Sequence, residues 1–145
     1  MKGMSIIVKK VTQLVSGLMF LYGIYIITHG HLTPGGGFAG GAILAGSFIL
    51  LVLAFGSDLL KLRKREEGSS VVESMAIFAF LILGIMALFI GTHVFFSNFL
   101  PAGTVGNLIS AGIIPLYNIF IGIEVGAALF TIFLALAIFK EEVIE

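Results

Sequence analysis

The chain has 145 residues, of which 59% are hydrophobic and 11% are charged, and it carries eight basic and eight acidic side chains. A soluble domain contains about 45–50% apolar and about 25% charged residues, so a chain this short could not hide its apolar surface from water. The zero net charge gives no electrostatic basis for binding nucleic acid, and the absence of cysteine excludes disulfides, thiolate-ligated zinc and iron–sulfur clusters built by this chain.

Four apolar segments are long enough to cross a bilayer, and they comprise residues 11–28, 37–55, 75–96 and 116–139. At about 1.5 Å per residue they are roughly 27–36 Å long, which matches a hydrocarbon core of about 30 Å. The backbone must satisfy its own hydrogen bonds in lipid, and alternating strands of about ten residues are absent from the sequence. We therefore predict one all-α integral membrane domain over residues 1–145, with four transmembrane helices.

The basic residues lie before the first span, between the second and third, and after the fourth: Lys2, Lys9, Lys10, Lys61, Arg63, Lys64, Arg65 and Lys140. Segments 30–36 and 97–115 carry no charged side chain. The positive-inside rule predicts that both termini and the middle loop are cytoplasmic. The first apolar stretch lacks a signal-peptide cleavage pattern, so we expect it to remain as a span.

Two connectors are informative. Residues 61–68 form a mixed-charge connector, after which Ser70 and Glu73 have the spacing of a capping box that opens the third helix. This reading gives Glu73 a structural role. Residues 97–115 form a long outer loop that is too apolar for an ordinary solvated loop, so we expect part of it to be a short helix or a re-entrant segment packed on protein.

Glu124 is the only formally charged residue within any predicted span. It lies roughly 12 Å into the fourth helix, counted at about 1.5 Å per residue. A carboxylate at that depth costs at least about 2.5–3.5 kcal/mol, so it indicates either a role in handling protons or cations or a hydrogen bond that fixes this helix to a neighbour. Both interpretations stay open. Tyr117 and Thr131 share its helical stripe and are further candidates for an ion path.

Small residues recur in two places. Thr33 to Gly41 reads TPGGGFAGG, in which Pro34 suits a helix entry and Gly35, Gly36 and Gly37 permit unusual backbone conformations. Gly37 with Gly41, and Gly122 with Gly126, form ridges for close helix packing, which we expect to contact other chains. The glycine run predicts a tight outer turn and a close helix crossing, with backbone that lines an ion cavity as the alternative.

Three histidines, His29, His31 and His93, map to the outer ends of the first and third spans. Imidazoles there are candidates for relaying protons near pH 7, although interfacial histidines more often have water or backbone partners. Asn107 and Asn118 are expected to cap or bridge helices. No histidine pair has helical metal-ligand spacing, so no bound metal or cofactor is expected.

The stretch from Thr33 to Gly56 and the stretch from Ile114 to Phe139 together resemble the MnhB/MrpB subunit of multisubunit Na+/H+ antiporters. The resemblance covers nearly the whole chain, and it marks Pro34, Gly35, Gly36, Gly37 and Phe38 as signature residues. The same subunit type occurs in archaeal energy-converting membrane complexes, including membrane-bound hydrogenases and related sulfur-reducing complexes. In this family, larger subunits are thought to carry the main proton-pumping lysine and glutamate pairs.

The resemblance implies an accessory subunit, not an enzyme in itself, that assembles with other membrane subunits in a complex translocating Na+ and H+. It also implies a prokaryotic cell membrane as the location. The chain has no lysine within a span, which agrees with an accessory or sodium-path role. Two alternatives remain. One is a purely structural helix-packing subunit, and the other is a stand-alone proton-coupled exporter similar to four-span multidrug exporters, which place their glutamate in the first span.

Overall fold

The computed structural model describes residues 3–56, 59–90 and 93–144. It contains four helices, α1 (Ile6–Thr28), α2 (Gly36–Phe55), α3 (Leu59–Phe89) and α4 (Ile114–Ile144). All four are long and apolar enough to cross a membrane, and the described ranges contain no strand. The predicted all-α fold with four membrane-spanning helices is confirmed.

The helices pack in the order α1, α2, α4, α3, so that α4 separates α2 from α3. Residues 37 and 52 of α2 lie beside residues 118 and 134 of α4, which makes these two helices parallel. The first residues of α2 and α4 therefore lie at one end of the bundle, and their last residues lie at the other. We call the end at which α1 and α3 begin the basic end, and the end with residues 29–35 and 93–113 the loop end.

The described basic residues all belong to segments at the basic end. The residues just before α1 reach the end of α2 there, where the Met4 backbone N–H donates to the Ala54 carbonyl at 2.9 Å. The Lys9 ammonium lies 5.7 Å from the centre of the Phe55 ring. The segments that carry basic residues and the segments that carry none thus lie at opposite ends of the bundle.

α3 differs from its predicted bounds at both ends. It begins at Leu59 and includes the mixed-charge connector, so Ser70 lies inside the helix and the predicted capping box is wrong. Ser74 donates its hydroxyl to the Ser70 carbonyl at 3.0 Å, as in a continuous helix. Lys, Arg and Glu are strong helix formers, which explains why the charged run extends the helix instead of interrupting it.

The third predicted span continues to Phe96, whereas α3 ends at Phe89. Phe96 lies in the following loop and folds back on the bundle, with its ring centre 5.3 Å from that of Phe80 and 5.6 Å from that of Tyr117. A Cβ at Gly84 would lie 2.8 Å from the Phe96 ring, so glycine leaves room for it. The apolar side chain of Phe96 therefore reflects its packing on α3 and α4, not a continuation of the membrane span.

The loop between α3 and α4 contains no helix within its described residues 93–113, so the expected short helix is wrong. It is nonetheless held to the protein by Asn98, whose side-chain oxygen accepts hydrogen bonds from the backbone of Leu100 at 3.2 Å and of Ile113 at 3.1 Å. Ile113 is 2% exposed. The loop is anchored by backbone turns and by two buried residues just before α4, Ser110 and Ile113.

Close helix crossings hold the bundle together, and they lie within the chain. A Cβ at Gly41 would lie 2.6 Å from the Gly122 carbonyl oxygen, and one at Gly40 would lie 2.8 Å from the Gly23 carbonyl oxygen. Gly41 therefore faces α4 while Gly40 faces α1. The expectation that the ridges of α2 and α4 contact other chains is wrong at these glycines, because the ridges pack on each other.

Candidate functional site

Glu124 lies in a crevice between α3 and α4. The crevice has a volume of about 220 Å³ and is lined by Ala76, Ile77 and Phe80 from α3 and by Phe120, Ile121 and Glu124 from α4. Glu124 is half-buried. Across the described part of the chain, no hydrogen bond or ion pair reaches its carboxylate. An ionisable group in this apolar setting is costly without a compensating proton, cation or neighbour.

Tyr117 lies two helical turns before Glu124 on the same face of α4. Its ring centre is 5.0 Å from that of Phe80 and 5.6 Å from that of Phe96. Its hydroxyl oxygen is buried and has no hydrogen-bond partner within the described ranges. Buried polar groups are nearly always paired with protein or water, so this hydroxyl has unused capacity to donate and accept. Tyr117 and Glu124 thus mark one wall of the same helix interface.

Thr131 continues this face of α4 toward the basic end, but its hydroxyl is already used. It donates to the Ala127 carbonyl at 2.9 Å. The same carbonyl accepts a hydrogen bond from Ser69 of α3, also at 2.9 Å. Interhelical hydrogen bonds of this kind contribute about 0.6 kcal/mol on average in membranes. The bond from Ser69 therefore stabilises the α3–α4 contact only modestly, on the side of Glu124 that faces the basic end.

Asn118 joins α4 to the start of α2. Its side-chain oxygen accepts a hydrogen bond from the Gly37 backbone N–H at 3.3 Å. The N-cap residue of α2 is Gly35, which has no side chain to accept such a bond. Helices leave their first N–H groups without internal partners, and here a residue 81 positions away supplies one acceptor. The expected capping role of Asn118 is therefore realised between helices.

Replacing Asn118 by alanine is expected to destabilise the start of α2 by about 1 kcal/mol, because a capping acceptor is lost. Hydrogen exchange at the Gly37 amide and the thermal midpoint in detergent would measure the effect. Asn107→Ala is the matched control, since the Asn107 side chain contacts Thr104 within the exposed loop. An equal change in both variants would contradict the capping role.

The glycine run forms the turn between α1 and α2. Gly35 and Gly36 have φ values of 136° and 81°, which residues with a side chain rarely adopt. Gly36 and Gly37 are buried, whereas Pro34 precedes the N-cap and Phe38 is 67% exposed. A Cβ at Gly30 would clash with the Gly36 Cα, so the turn brings backbone against backbone. This geometry matches the tight turn and close crossing that the sequence predicts.

The three histidines lie at the loop end but make separate contacts. His29 stacks on Tyr25, with ring centres 4.1 Å apart, and its Nδ1 lies 3.0 Å from the Tyr25 carbonyl oxygen. The His31 Nε2 lies 3.4 Å from the Asn107 carbonyl oxygen, and its buried Nδ1 has no partner among the described residues. His93 is exposed. The structure does not assemble them into one relay.

The chemistry available to this chain is correspondingly narrow. The described ranges contain no group of three or more His, Cys, Asp or Glu side chains that could hold a metal ion. A single half-buried carboxylate can exchange a proton or contribute one oxygen ligand to a cation, and further ligands would come from water or another chain. Sequence reasoning identified Glu124 by its charge, but it missed Ser69 and Asn98, whose hydroxyl and amide give no positional signal in a single sequence.

Comparison with known proteins supplies a context for this site. A family model described as a domain related to the MnhB subunit of Na+/H+ antiporter matches residues 7–131. An uncharacterized protein of Methanocaldococcus jannaschii is 39% identical over 132 residues, which cover 86% of this chain and 49% of that protein. A Staphylococcus epidermidis protein that carries the name antiporter subunit mnhB2 is 44% identical over 55 residues, which cover 38% of this chain and 39% of that protein.

A solved structure has a similar fold. It is a chain in the membrane-bound sulfane sulfur reductase, an archaeal respiratory membrane complex, with a TM-score of 0.72 and 34% sequence identity. The match covers 88% of this chain and 56% of that one. This chain thus spans about half, or less, of the length of the relatives it matches. The family match over residues 7–131 includes nearly all of α1, all of α2 and α3, and the part of α4 that carries Glu124.

Proposed function

Because the chain belongs to the family of domains related to the MnhB subunit of the Na+/H+ antiporter, we propose that it is an accessory, non-catalytic subunit of a multisubunit complex that translocates Na+ and H+. The observation that carries this proposal is the family match over residues 7–131. The four apolar helices support a multi-pass protein of the cytoplasmic membrane. The charge at the basic end supports cytoplasmic chain termini.

The complex has two candidate forms, each supported by a different relative. The name of the Staphylococcus protein supports a dedicated antiporter. The sulfane sulfur reductase chain supports an antiporter-like module attached to a redox-driven respiratory complex, such as one of the hydrogenase type. In either form, the chain's partners are other membrane subunits, and Na+ and H+ are transported ions, not resident cofactors.

Purification of the tagged chain from native membranes tests the proposal. Mass spectrometry is expected to find antiporter-like membrane subunits bound in fixed ratio. Iron–sulfur or hydrogenase-type subunits in the same preparation would identify the redox-driven form, and their absence from an active preparation would identify the antiporter. Recovery of the chain alone, with proton-coupled export in proteoliposomes, would contradict the proposal and favour the stand-alone exporter.

Within such a complex, we assign Glu124 to an ion path at the α3–α4 crevice. The supporting observations are its half-burial, the apolar lining, and the lack of a partner among the described residues. The buried Tyr117 hydroxyl on the same face has free hydrogen-bonding capacity and extends the polar face toward the loop end. We also propose that the histidines at that end exchange protons with water, each on its own.

A second candidate function, a subunit that acts through packing alone, is favoured by the close glycine contacts. Backbone approaches such as that of Gly41 to Gly122 position α2 and α4 without any ion. Under this alternative Glu124 only fixes a neighbouring helix. The two candidates predict opposite outcomes for a neutral substitution at Glu124 in an assembled complex.

A further inference from the structure

A groove runs along α4 between α2 and α3. Among the described residues, α2 and α3 have no Cα pair within 8 Å of each other, so the surface of α4 forms the floor between them. The groove has a volume of about 350 Å³. A second cavity of about 240 Å³ shares Phe48, Arg65 and Phe130 with it, so the two are adjacent. The crevice that holds Glu124 is separate from this groove.

The lining of the groove is apolar along its length and basic at one place. Phe48 of α2, Val72 of α3 and Phe130 of α4 supply its walls and floor. Arg65 lines both cavities and lies about 9 Å from the start of α3, counted at about 1.5 Å per residue. An arginine can lay its aliphatic stem along an apolar surface while its guanidinium reaches the membrane–water boundary.

The stretch from Lys61 to Glu67 carries net positive charge, because its four basic residues outnumber its two glutamates. Lys61, Arg63 and Lys64 are exposed on the same two turns of α3. Basic clusters at the cytoplasmic ends of membrane helices attract anionic headgroups, at about 1 kcal/mol for each Lys or Arg near the surface. A guanidinium also matches the geometry of a phosphate, to which it can donate two parallel hydrogen bonds.

The lining of the groove combines two chemistries, since its walls are apolar and Arg65 stands at one place along it. A phospholipid carries a hydrocarbon chain and a phosphate in one molecule, so it matches both parts of this lining.

We propose that this groove binds one anionic phospholipid, with a hydrocarbon chain between α2 and α3 and the phosphate at Arg65. The glycines of the groove leave the space that the chain fills. A Cβ at Gly68 would meet no atom within 4 Å, and Gly126 borders the groove from α4. The site is independent of the proposed ion path, and it attaches the basic end of α3 to the membrane surface.

Native mass spectrometry of the full-length chain in mild detergent tests the site, with phosphatidylglycerol and phosphatidylcholine as probes. The wild-type chain is expected to retain one phosphatidylglycerol, roughly fivefold more strongly than phosphatidylcholine. Arg65→Gln is expected to abolish this preference. Gly68→Leu is expected to lower retention of both lipids, because the new side chain enters space that is open in the wild type.

Lys64→Gln is the matched control, since it removes one positive charge beside the groove but does not line it. Preserved lipid preference in this variant supports a built site. A loss equal to that of Arg65→Gln would indicate diffuse attraction and overturn the proposal. If Gly68→Leu leaves lipid retention unchanged and instead releases a partner subunit from the native complex, the groove is a helix-docking site and the proposal is wrong.

Discussion

Replacing Gly41 by leucine is expected to disrupt the crossing of α2 and α4 and to prevent most of the chain from folding. A Cβ at this position would lie 2.6 Å from the Gly122 carbonyl oxygen and 3.0 Å from the Val125 Cβ. Backbone cannot move aside as a flexible side chain can, so the helices must separate. Overpacking of this kind costs about 3 kcal/mol or more when backbone has to shift. The yield of monodisperse protein in detergent and its thermal midpoint would measure the loss.

Gly17→Leu provides the control for that substitution. Gly17 lies inside α1, and a Cβ there would meet no atom within 4 Å. The same side chain should therefore be tolerated by the isolated chain, with a small gain because glycine weakens a helix by about 1 kcal/mol relative to alanine. If Gly17→Leu and Gly41→Leu lower the thermal midpoint equally, the close crossing is not what stabilises the bundle.

The bounds of a helix could be predicted where the apolar segment is flanked directly by turn residues. α2 begins and ends within one residue of its predicted bounds, because glycines and turn residues limit it on both sides. α3 could not be predicted as well, because hydrophobicity reports the membrane interior and not the extent of a helix. Its charged first turns remain helical, and Leu62 among them packs with Val52 and Leu134. Phe96 is apolar because it packs on Tyr117.

The candidate site was predictable in part for a similar reason. A single carboxylate within a span is conspicuous in any sequence, so Glu124 could be identified without a structure. Its neighbours could not, because Ala76 and Phe80 of α3 reach it only through the antiparallel packing of two distant segments. The contact between Asn118 and Gly37 likewise joins residues 81 positions apart. A helical stripe gives the direction of a side chain but not the element that it meets.

Together these features separate two roles within α4. One face carries Gly122, which approaches α1 and α2 closely and fixes the bundle. Another face carries Tyr117 and Glu124, which meet α3 across a crevice and an aromatic cluster. Substitutions on the two faces should therefore affect different measurements, assembly in the first case and transport in the second.

Glu124→Gln is expected to leave the complex assembled and to reduce Na+-dependent H+ transport by about tenfold or more. The amide keeps the size of the side chain and its ability to accept a hydrogen bond, but it can neither exchange a proton nor balance the charge of a cation. Transport in inverted membrane vesicles would be compared with the amount of assembled complex in the same vesicles. Lower transport per assembled complex is the expected result.

Glu67→Gln separates a local role of Glu124 from a general effect of lost negative charge, because Glu67 is an exposed carboxylate of α3 at the basic end. It should transport normally. Normal transport by a fully assembled Glu124→Gln complex would contradict the ion-path assignment and favour the packing subunit, for which only substitutions such as Gly41→Leu are harmful. A Glu124→Gln chain that no longer joins the complex would show that the carboxylate holds a partner helix, because the crevice offers it no partner among the described residues.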